Sequence, residues 1–381
     1  MDLSAYAKPS SKNPLKSLWS RLARPPITLR AGDLNGDTST FQIDNAGARE
    51  LLYFKSLSGP GLLQAGADIP LLLSLLQAMK WGRPIVVEAP ITATLLGNLH
   101  RYMAVFSQLH PRYQPVEISA AQVTDTTLDP KVSGESPRIG TFFSGGVDSF
   151  HTYLTHQDEI TDLVFVHGFD IALDQHELRR QVSRMGEQIS RATGVRFIEI
   201  ETNARTTQKG WGRWTVHGHG LGLASVGRSL AGYLSKLYIP SSFARDEQLP
   251  WGTHPDFDSL LGDDSIQFVH DQTDATRTQK TTYISEHPVA LEALRVCYKN
   301  PDSAYNCCVC EKCLRTMTTL YAAGKLDEAV TFPRPLSAPA IESLEITCEA
   351  VKVLVRDNLQ MLEKAGLRDT PIYAAWARTL D

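Results

Sequence analysis

The 381-residue sequence has no long hydrophobic run, no excess of positive charge and only one cysteine outside a single short segment. No apolar stretch reaches the roughly 18 residues that a bilayer-spanning helix needs. Residues 1–24 lack the apolar core and small-residue cleavage site that mark a secretory signal peptide. The 38 basic and 42 acidic residues give a net charge of −4, which disfavours nucleic acid as a partner. These absences predict a soluble, cytoplasmic protein with no membrane partner.

Composition and length set the domain organisation. Apolar residues make up 42% of the chain and charged residues 21%, which is typical of a folded globular protein. The length predicts two or three compact units. Residues 1–25, rich in Ser, Pro, Lys and Arg, are predicted to form a mobile lead-in. The polar, turn-rich stretch 124–137 is predicted to separate an accessory domain at 26–125 from a second domain at 138–325, and a helical extension at 326–381 follows.

The two predicted domains differ in their order of elements. From residue 138 onward, strands and helices alternate: an apolar strand at 139–143 precedes a helix at 146–156, and the order repeats further along. Such alternation predicts an α/β fold with a parallel sheet covered by helices on both faces. Residues 26–125 mix short strands and helices without that order, which predicts a small α/β or α+β domain.

The most informative motif follows the first strand of this sheet. Residues 144–149, which we call the glycine loop, read Ser-Gly-Gly-Val-Asp-Ser and lie between the strand and the helix. Gly145 and Gly146 let the backbone approach an oxygen-rich ligand closely. The free amides and the dipole at the start of the helix favour phosphate. The alternative is an ordinary strand-to-helix turn.

Side chains of the loop add to this prediction. Ser144 and Ser149 can donate hydroxyl hydrogen bonds to phosphate oxygens. Asp148 would repel a bare phosphate, so its presence predicts a divalent cation between the carboxylate and the phosphate oxygens. The loop is therefore expected to bind a metal-complexed phosphate.

Five of the six cysteines lie between residues 297 and 313, a segment that we call the cysteine knuckle. Cys297, Cys307, Cys310 and Cys313 are separated by nine, two and two residues, a spacing that can close a tetrahedral Zn²⁺ site. Four thiolates leave no position for a substrate, so the predicted metal is structural. An iron–sulfur cluster and a reactive persulfide at the remaining Cys308 are the alternatives.

The glycine loop resembles the PP-loop of the N-type ATP pyrophosphatases, whose pattern is Ser-Gly-Gly-x-Asp-Ser. The resemblance implies a Rossmann-like parallel sheet of the adenine nucleotide α-hydrolase type, cleavage of ATP between its α and β phosphates, and a requirement for Mg²⁺. It implies that Ser144, Asp148 and Ser149 take part in catalysis. It also implies an ATP site made of Phe143, Ser144, Gly145, Gly146, Val147, Asp148, Ser149, His167 and Phe169, the last two beside the adenine.

Together with the cysteine knuckle, the loop is similar to that of the 7-cyano-7-deazaguanine synthases, whose zinc cysteines are spaced by eight, two and two residues. This resemblance covers roughly residues 138–325. It implies a ligase that adenylates a carboxylate, such as 7-carboxy-7-deazaguanine, for attack by ammonia or an amine, giving a nitrile, an amide or a protein conjugate. The longer cysteine spacing, Cys308 and the extra flanking regions depart from the family pattern and leave the substrate open.

Further candidates lie at predicted loop positions. Arg245 and Asp246 follow an apolar strand, at the sheet edge where α/β proteins bind ligands, and are predicted substrate contacts. His217 and His219, on a glycine-rich turn, are predicted to contact substrate as well. A solvated loop and a hydrogen-bonded turn, respectively, are the alternatives.

Two basic residues complete the set. Arg277 and Lys280 lie three apart, so one face of a helix would carry both. Two cations aimed at the glycine loop could stabilise the charge that builds on leaving pyrophosphate, which predicts a catalytic role. The alternative is a solvated basic face.

Two other functions share the glycine loop. A sulfurtransferase acting on tRNA would use the same ATP chemistry but needs a catalytic thiol and a basic surface. A non-catalytic nucleotide-binding subunit would use the N-terminal domain to recruit a protein partner, and that domain could equally bind a protein substrate. Whether the chain forms a homodimer is left open.

Overall fold

One sheet of eleven strands organises the fold in the computed structural model, which describes residues 24–45, 48–125, 138–207, 212–245 and 249–380. Most of the predicted lead-in and of the predicted boundary stretch lies outside the described residues, and so does Asp246. The strands are β1 (Ile27–Leu29), β2 (Asp33–Asn35), β3 (Thr38–Asn45), β4 (Ala48–Ser56), β5 (Ile85–Thr92), β6 (Ile118–Thr124), β7 (Ile139–Phe142), β8 (Asp162–His167), β9 (Arg196–Thr202), β10 (Lys236–Pro240) and β11 (Gln267–Asp271).

Helices cover both faces of the sheet and form the C-terminal region. None of the described helices is both long and apolar enough to cross a membrane. The α-helices are α1 (Asp68–Trp81), α2 (Ala93–Leu109), α3 (Val147–Thr155), α4 (His176–Thr193), α5 (Ala204–Thr207), α6 (His219–Ser229), α7 (Arg277–Ser285), α8 (Pro288–Ala293), α9 (Glu311–Ala322), α10 (Ala338–Glu342), α11 (Glu349–Lys364) and α12 (Pro371–Arg378).

The strand order is β11-β10-β7-β8-β9-β4-β3-β1-β5-β6, with β2 added beside β3. Strands β7 to β11 are parallel to one another. Antiparallel pairs occur where β1 to β4 join, and β4 pairs antiparallel with β9 through Phe54 and Thr202. The predicted α/β fold is confirmed, with a mixed and mostly parallel sheet.

The N-terminal strands thus extend the sheet of the C-terminal half. Helix α1 is buried along Ile69–Met79 because it lies between the sheet and α6. A buried ion-pair network joins the halves there: the Arg228 guanidinium contacts Asp68 at 2.5 Å and Asp263 at 2.6 Å. The domain limits inferred from the sequence stay a prediction.

The chain reverses its direction of travel across the sheet next to β7. From β7 it moves outward through β8 to β9, and then crosses back to place β10 and β11 on the other side of β7. In open α/β sheets, ligands bind at the carboxyl ends of the strands flanking such a reversal. The segments that follow β7 and β10 therefore frame the candidate site.

Candidate functional site

The glycine loop connects β7 to α3 in a conformation that favours glycine at one position. Gly145 has a φ of +76°, and a Cβ there would lie 3.1 Å from the Met185 Cε atom and 3.4 Å from the Arg295 Cβ atom. Gly146 forms the N-cap of α3 without a side-chain cap. Local geometry therefore keeps the first turn of α3 uncapped by a side chain and open to an anion.

Both serines of the loop hydrogen-bond within it. The Gly146 amide donates to Ser144 Oγ at 3.3 Å, and Ser149 Oγ donates to the Gly146 carbonyl at 3.0 Å. Phe143, just before the loop, is buried and anchors it in the core below. Val147 is buried in the same core. The loop is thus held from beneath while its polar atoms lie toward the cleft.

Asp148, in the first turn of α3, is the meeting point of three segments. Its Oδ2 atom accepts from Arg277 Nη2 at 2.8 Å and from Ser242 Oγ at 3.3 Å. Ser242 follows β10, and Arg277 begins α7. Its Oδ1 atom is buried and has no hydrogen-bond partner in the described part of the chain. A buried carboxylate oxygen that accepts no hydrogen bond costs free energy. A divalent cation such as Mg²⁺ would suit this oxygen as a ligand.

A cleft of about 210 Å³ opens above the loop, at the carboxyl ends of β7, β8 and β10. Of the residues predicted from the sequence, it is lined by Phe143, Ser144, Asp148, Ser149, Phe169 and His219. Trp214, an aromatic residue that the sequence offers for stacking on a planar ring, lines the cleft too, whereas Ser242 and Lys312 are lining residues that sequence reasoning missed. The structure therefore brings the loop, the end of β8 and the start of α9 together.

A larger cavity, of about 690 Å³, adjoins this cleft and shares Phe169 and Trp214 with it. The loops after β8 and β9 line most of it. Arg205 lies there, with its guanidinium 5.5 Å from the centre of the Trp214 ring and a hydrogen bond to the Phe169 carbonyl. The glycine loop faces the smaller cleft, so we place the candidate phosphate site there and treat the larger cavity as adjoining space.

The two predicted histidines have different positions. His219 lines the cleft, its ring Nε2 lies 3.1 Å from Thr253 Oγ1, and burial lowers its pKa, so the ring is neutral near pH 7. The His217 ring packs against His110 and Tyr113, outside the residues that line the cleft. Burial lowers the pKa of His217 to about 4. Its Nδ1 accepts from the Arg213 amide, as in a hydrogen-bonded turn.

The two basic residues of α7 also separate. Arg277 reaches the loop by its ion pair with Asp148. Lys280 is buried, and its ammonium donates to the Ser241 carbonyl at 2.8 Å, just beyond the end of β10. Lys280 thus lies beneath the turn that carries Ser242 and is absent from the lining of the cleft.

Two further predicted contacts lie away from the cleft. His167 is 1% exposed, and its Nε2 lies 3.3 Å from Glu199 Oε2 on the next strand. Arg245 is exposed and forms a 3.6 Å ion pair with the exposed Asp274. Neither lines the cleft, whereas Val166, one residue before His167, does. Asp246, outside the described residues, has no assigned position.

The cysteine knuckle brings its four predicted ligands together. The sulfur atoms of Cys297, Cys307, Cys310 and Cys313 are buried and lie within 4.8 Å of one another. Two of the separations are 3.9 and 4.0 Å, near the value of about 3.8 Å expected for sulfurs around a tetrahedral Zn²⁺. The four cysteines therefore form a group that can hold a metal such as zinc.

Backbone amides and neighbouring thiols polarise these sulfurs. The Asn300 amide donates to Cys297 Sγ, and the Cys310 amide donates to Cys307 Sγ, both at 3.3 Å. Hydrogen bonding with its neighbours lowers the pKa of Cys297, and the interaction with Cys297 raises the pKa of Cys310 to about 12. A metal cation that binds to this group would displace the protons that the sulfurs share.

Cys308 lies outside this group. It is buried, has a φ of +58°, and its sulfur lies 3.7 Å from the Asn306 carbonyl. Burial raises its pKa, which disfavours the reactive thiolate form at neutral pH. Its position is that of a buried structural thiol.

Comparison of the chain with known protein families, with functionally characterised proteins and with solved structures finds no match.

Proposed function

We propose that this protein is an ATP-dependent adenylating enzyme that cleaves ATP to AMP and pyrophosphate. The single observation that carries the proposal is the placement of the glycine loop. The loop lies at the carboxyl end of β7, beside the reversal of strand order, and Asp148, whose buried Oδ1 atom has no hydrogen-bond partner among the described residues, lines the cleft. A metal-complexed triphosphate suits that position in charge and shape.

The order of the parallel strands supports a Rossmann-like sheet of the adenine nucleotide α-hydrolase type. Numbered along the chain, β7 to β11 lie in the order 3-2-1-4-5. This is the doubly wound order 3-2-1-4-5-6 without its sixth strand, and its ligand crevice lies where the order reverses, beside the first strand. The glycine loop follows that first strand.

Residues of the site have separate tasks in the proposed reaction. The amides of the first turn of α3, with Ser144 and Ser149, would hold phosphate oxygens, and Asp148 would hold Mg²⁺, which neutralises phosphate charge when bound. Arg277, already 2.8 Å from Asp148, is placed to stabilise the leaving pyrophosphate. No protein nucleophile is needed, because positioning and charge stabilisation supply the rate enhancement.

The bond changes are those of carboxylate activation. An oxygen of the substrate carboxylate attacks the α-phosphorus, the bond from that phosphorus to the bridging oxygen breaks, and pyrophosphate leaves. The nitrogen of ammonia or an amine then attacks the acyl carbon of the mixed anhydride, AMP leaves with the bond electrons, and the nitrogen loses a proton to solvent, which gives an amide. We propose 7-carboxy-7-deazaguanine or a related carboxylate as substrate, with an amide or a protein conjugate as product. A nitrile would need a second ATP: the amide oxygen attacks its α-phosphorus and pyrophosphate leaves, and the oxygen then departs with AMP as the nitrogen loses two protons.

The cavity next to the cleft supports a second substrate of some size. Its volume of about 690 Å³ exceeds what the phosphate tail needs, and the aromatic rings of Phe169 and Trp214 border both spaces. Planar heterocycles stack favourably on such rings. Sulfur transfer to tRNA is less well supported, because the spare thiol, Cys308, is buried and its pKa is raised.

The test is product formation from Mg²⁺–ATP and candidate carboxylates, with AMP and pyrophosphate measured by mass spectrometry. Asp148→Asn should lower the rate by about a hundredfold or more, because it removes the charge that holds the cation. Asp274→Asn, which removes an exposed carboxylate away from the cleft, is the matched control and should match the wild type. Equal rates for wild type and Asp148→Asn would overturn the assigned site, and binding of ATP without AMP release would favour the non-catalytic subunit.

A further inference from the structure

We propose that the cysteine knuckle is part of the nucleotide site, because it places Lys312 as a contact to the phosphate tail. This inference rests on the proposed function and adds a positioning element to it. Its basis is that Lys312 lies between two of the four clustered cysteines and at the same time lines the cleft beside Ser144 and Asp148.

The position of Lys312 follows from the knuckle. Cys310 is the N-cap of α9, and Lys312 and Cys313 lie in the first turn of that helix. The sulfurs of Cys310 and Cys313 belong to the group that can hold a metal, so a bound ion would fix the start of α9 at both points. The backbone of Lys312 would thus be held on both sides, at the edge of the cleft that this residue lines.

The charge of Lys312 is uncommitted. It takes part in none of the ion pairs found in the described part of the chain, and its neighbour Glu311 is paired with Arg315 at 2.8 Å. Arg277, the other cation at the loop, is already paired with Asp148. A cation beside an anion cradle without a carboxylate partner is available to a phosphate, with which it forms a charge-assisted hydrogen bond.

A second connection ties the knuckle to the loop. The Arg295 amide donates to the Gly145 carbonyl at 2.7 Å. The buried Arg295 side chain donates to Asn300, whose own amide donates to Cys297 Sγ. The backbone of the loop is thus connected through Arg295 and Asn300 to the first cysteine of the knuckle. Lys312, between the third and fourth cysteines, lines the same cleft as the loop.

A purely structural role for Lys312 predicts something different. Four thiolates around a divalent ion carry excess negative charge, and a neighbouring ammonium could simply offset it. In that case, removing Lys312 would weaken metal retention. If Lys312 contacts phosphate, its removal would leave the metal in place and weaken nucleotide binding.

The experiment is calorimetric titration of the full, zinc-loaded chain with Mg²⁺–ATP and with pyrophosphate, for wild type and three variants. Lys312→Ala should weaken both affinities by about tenfold to a hundredfold, as for the loss of a hydrogen bond between charged groups. Lys312→Arg should recover most of the affinity, because it keeps the positive charge. Lys299→Ala, which removes an exposed lysine from the same knuckle, should bind as the wild type does.

Zinc content, measured by plasma mass spectrometry before each titration, separates the outcomes. Full zinc with weakened binding in Lys312→Ala supports the inference. Unchanged binding in Lys312→Ala overturns it and leaves the proposed function standing, and loss of zinc from that variant overturns it in favour of charge compensation. A wild-type protein that binds neither Mg²⁺–ATP nor pyrophosphate would overturn the proposed function and the inference together.

Discussion

The cysteine knuckle and the glycine loop lie side by side but differ in how far each is complete. In the knuckle, four buried sulfurs lie within 4.8 Å of one another, and backbone amides donate to two of them. In the loop, one oxygen of Asp148 is buried without a hydrogen-bond partner among the residues that the structure describes, and a cleft of about 210 Å³ lies above. One tetrahedrally coordinated metal ion would use all four sulfurs of the first site, whereas the second site needs a cation and a ligand from solution.

This difference predicts whether a substitution at each site changes the stability of the fold or the affinity for a ligand. A closed donor set contributes to folding, so its loss should appear as loss of structure. An open one contributes to ligand binding, so its alteration should appear in affinity with a smaller effect on stability. Each of the following variants could break or sharpen that distinction.

The largest effect is expected for Cys310→Ser. Structural zinc sites supply on the order of 10 kcal/mol of apparent binding free energy, so loss of one ligand should leave a metal-free, largely unfolded or insoluble chain. Metal content and circular dichroism measure this result. Cys308→Ser, a change at the adjacent buried thiol outside the group, should keep one metal per chain and the native spectrum. A well-folded, metal-free Cys310→Ser protein would end the structural role of the knuckle.

An intermediate effect is expected for Asp263→Asn, which touches neither site and so shows what a stability loss alone does to nucleotide binding. Breaking the buried pair with Arg228 should lower the free energy of unfolding by about 3 kcal/mol, measured by urea denaturation. Asp264→Asn, at the exposed neighbouring position, should change it by less than about 0.5 kcal/mol. Nucleotide affinity of the folded Asp263→Asn protein should equal that of the wild type.

The same carboxylate gives a pH test. Burial alone raises the pKa of Asp263, but the Arg228 guanidinium and the hydrogen bonds from Ser265 and Thr92 together outweigh burial and lower it to about 2, against 3.8 for an ordinary aspartate. The ion pair therefore stabilises the fold above about pH 4, and its contribution of about 2 kcal/mol is lost as the pH falls toward 2. The stability difference between wild type and Asp263→Asn should shrink over that range. A constant difference would assign the stabilisation to packing.

The smallest stability effect is expected for Gly145→Ala. The positive φ of this loop residue should cost about 1–2 kcal/mol, and the added Cβ would lie 3.1 Å from the Met185 Cε atom, which would have to shift slightly. Gly194→Ala is the matched control, because Gly194 has a φ of +78° with nothing within 4 Å of an added Cβ. Only Gly145→Ala should weaken the binding of Mg²⁺–ATP. Equal binding by both variants would mean that the loop is a turn and nothing more.

Contiguous motifs were the part of the site that sequence reasoning could reach. The glycine loop spans six adjacent residues, and three of the four clustered cysteines lie within seven, so local spacing was informative. Along β8, however, successive side chains lie on opposite faces of the sheet. The pattern could not show whether Val166 or His167 faces the cleft, and the structure gives that position to Val166.

Long-range packing decided the rest. The three-residue spacing of Arg277 and Lys280 in α7 predicted that both act at the glycine loop. Only Arg277 reaches Asp148, because Lys280, one turn later, is buried beneath the end of β10. Nothing local indicates that the start of α9 faces the cleft, so Lys312 was missed. The meeting of β4 with β9 joins segments about 150 residues apart in sequence and leaves no local signal.

The pairing of β4 with β9 also means that each half of the chain covers an edge strand of the other half. Strand β9 donates and accepts ladder hydrogen bonds on the side where β4 lies, and a fragment that began at residue 138 would present those amides and carbonyls to solvent as a bare edge. Such edges recruit strands from other molecules. Self-association of the isolated C-terminal half is thus built into the way the sheet is assembled, and residues 54–56 are the part of the N-terminal half that covers this edge.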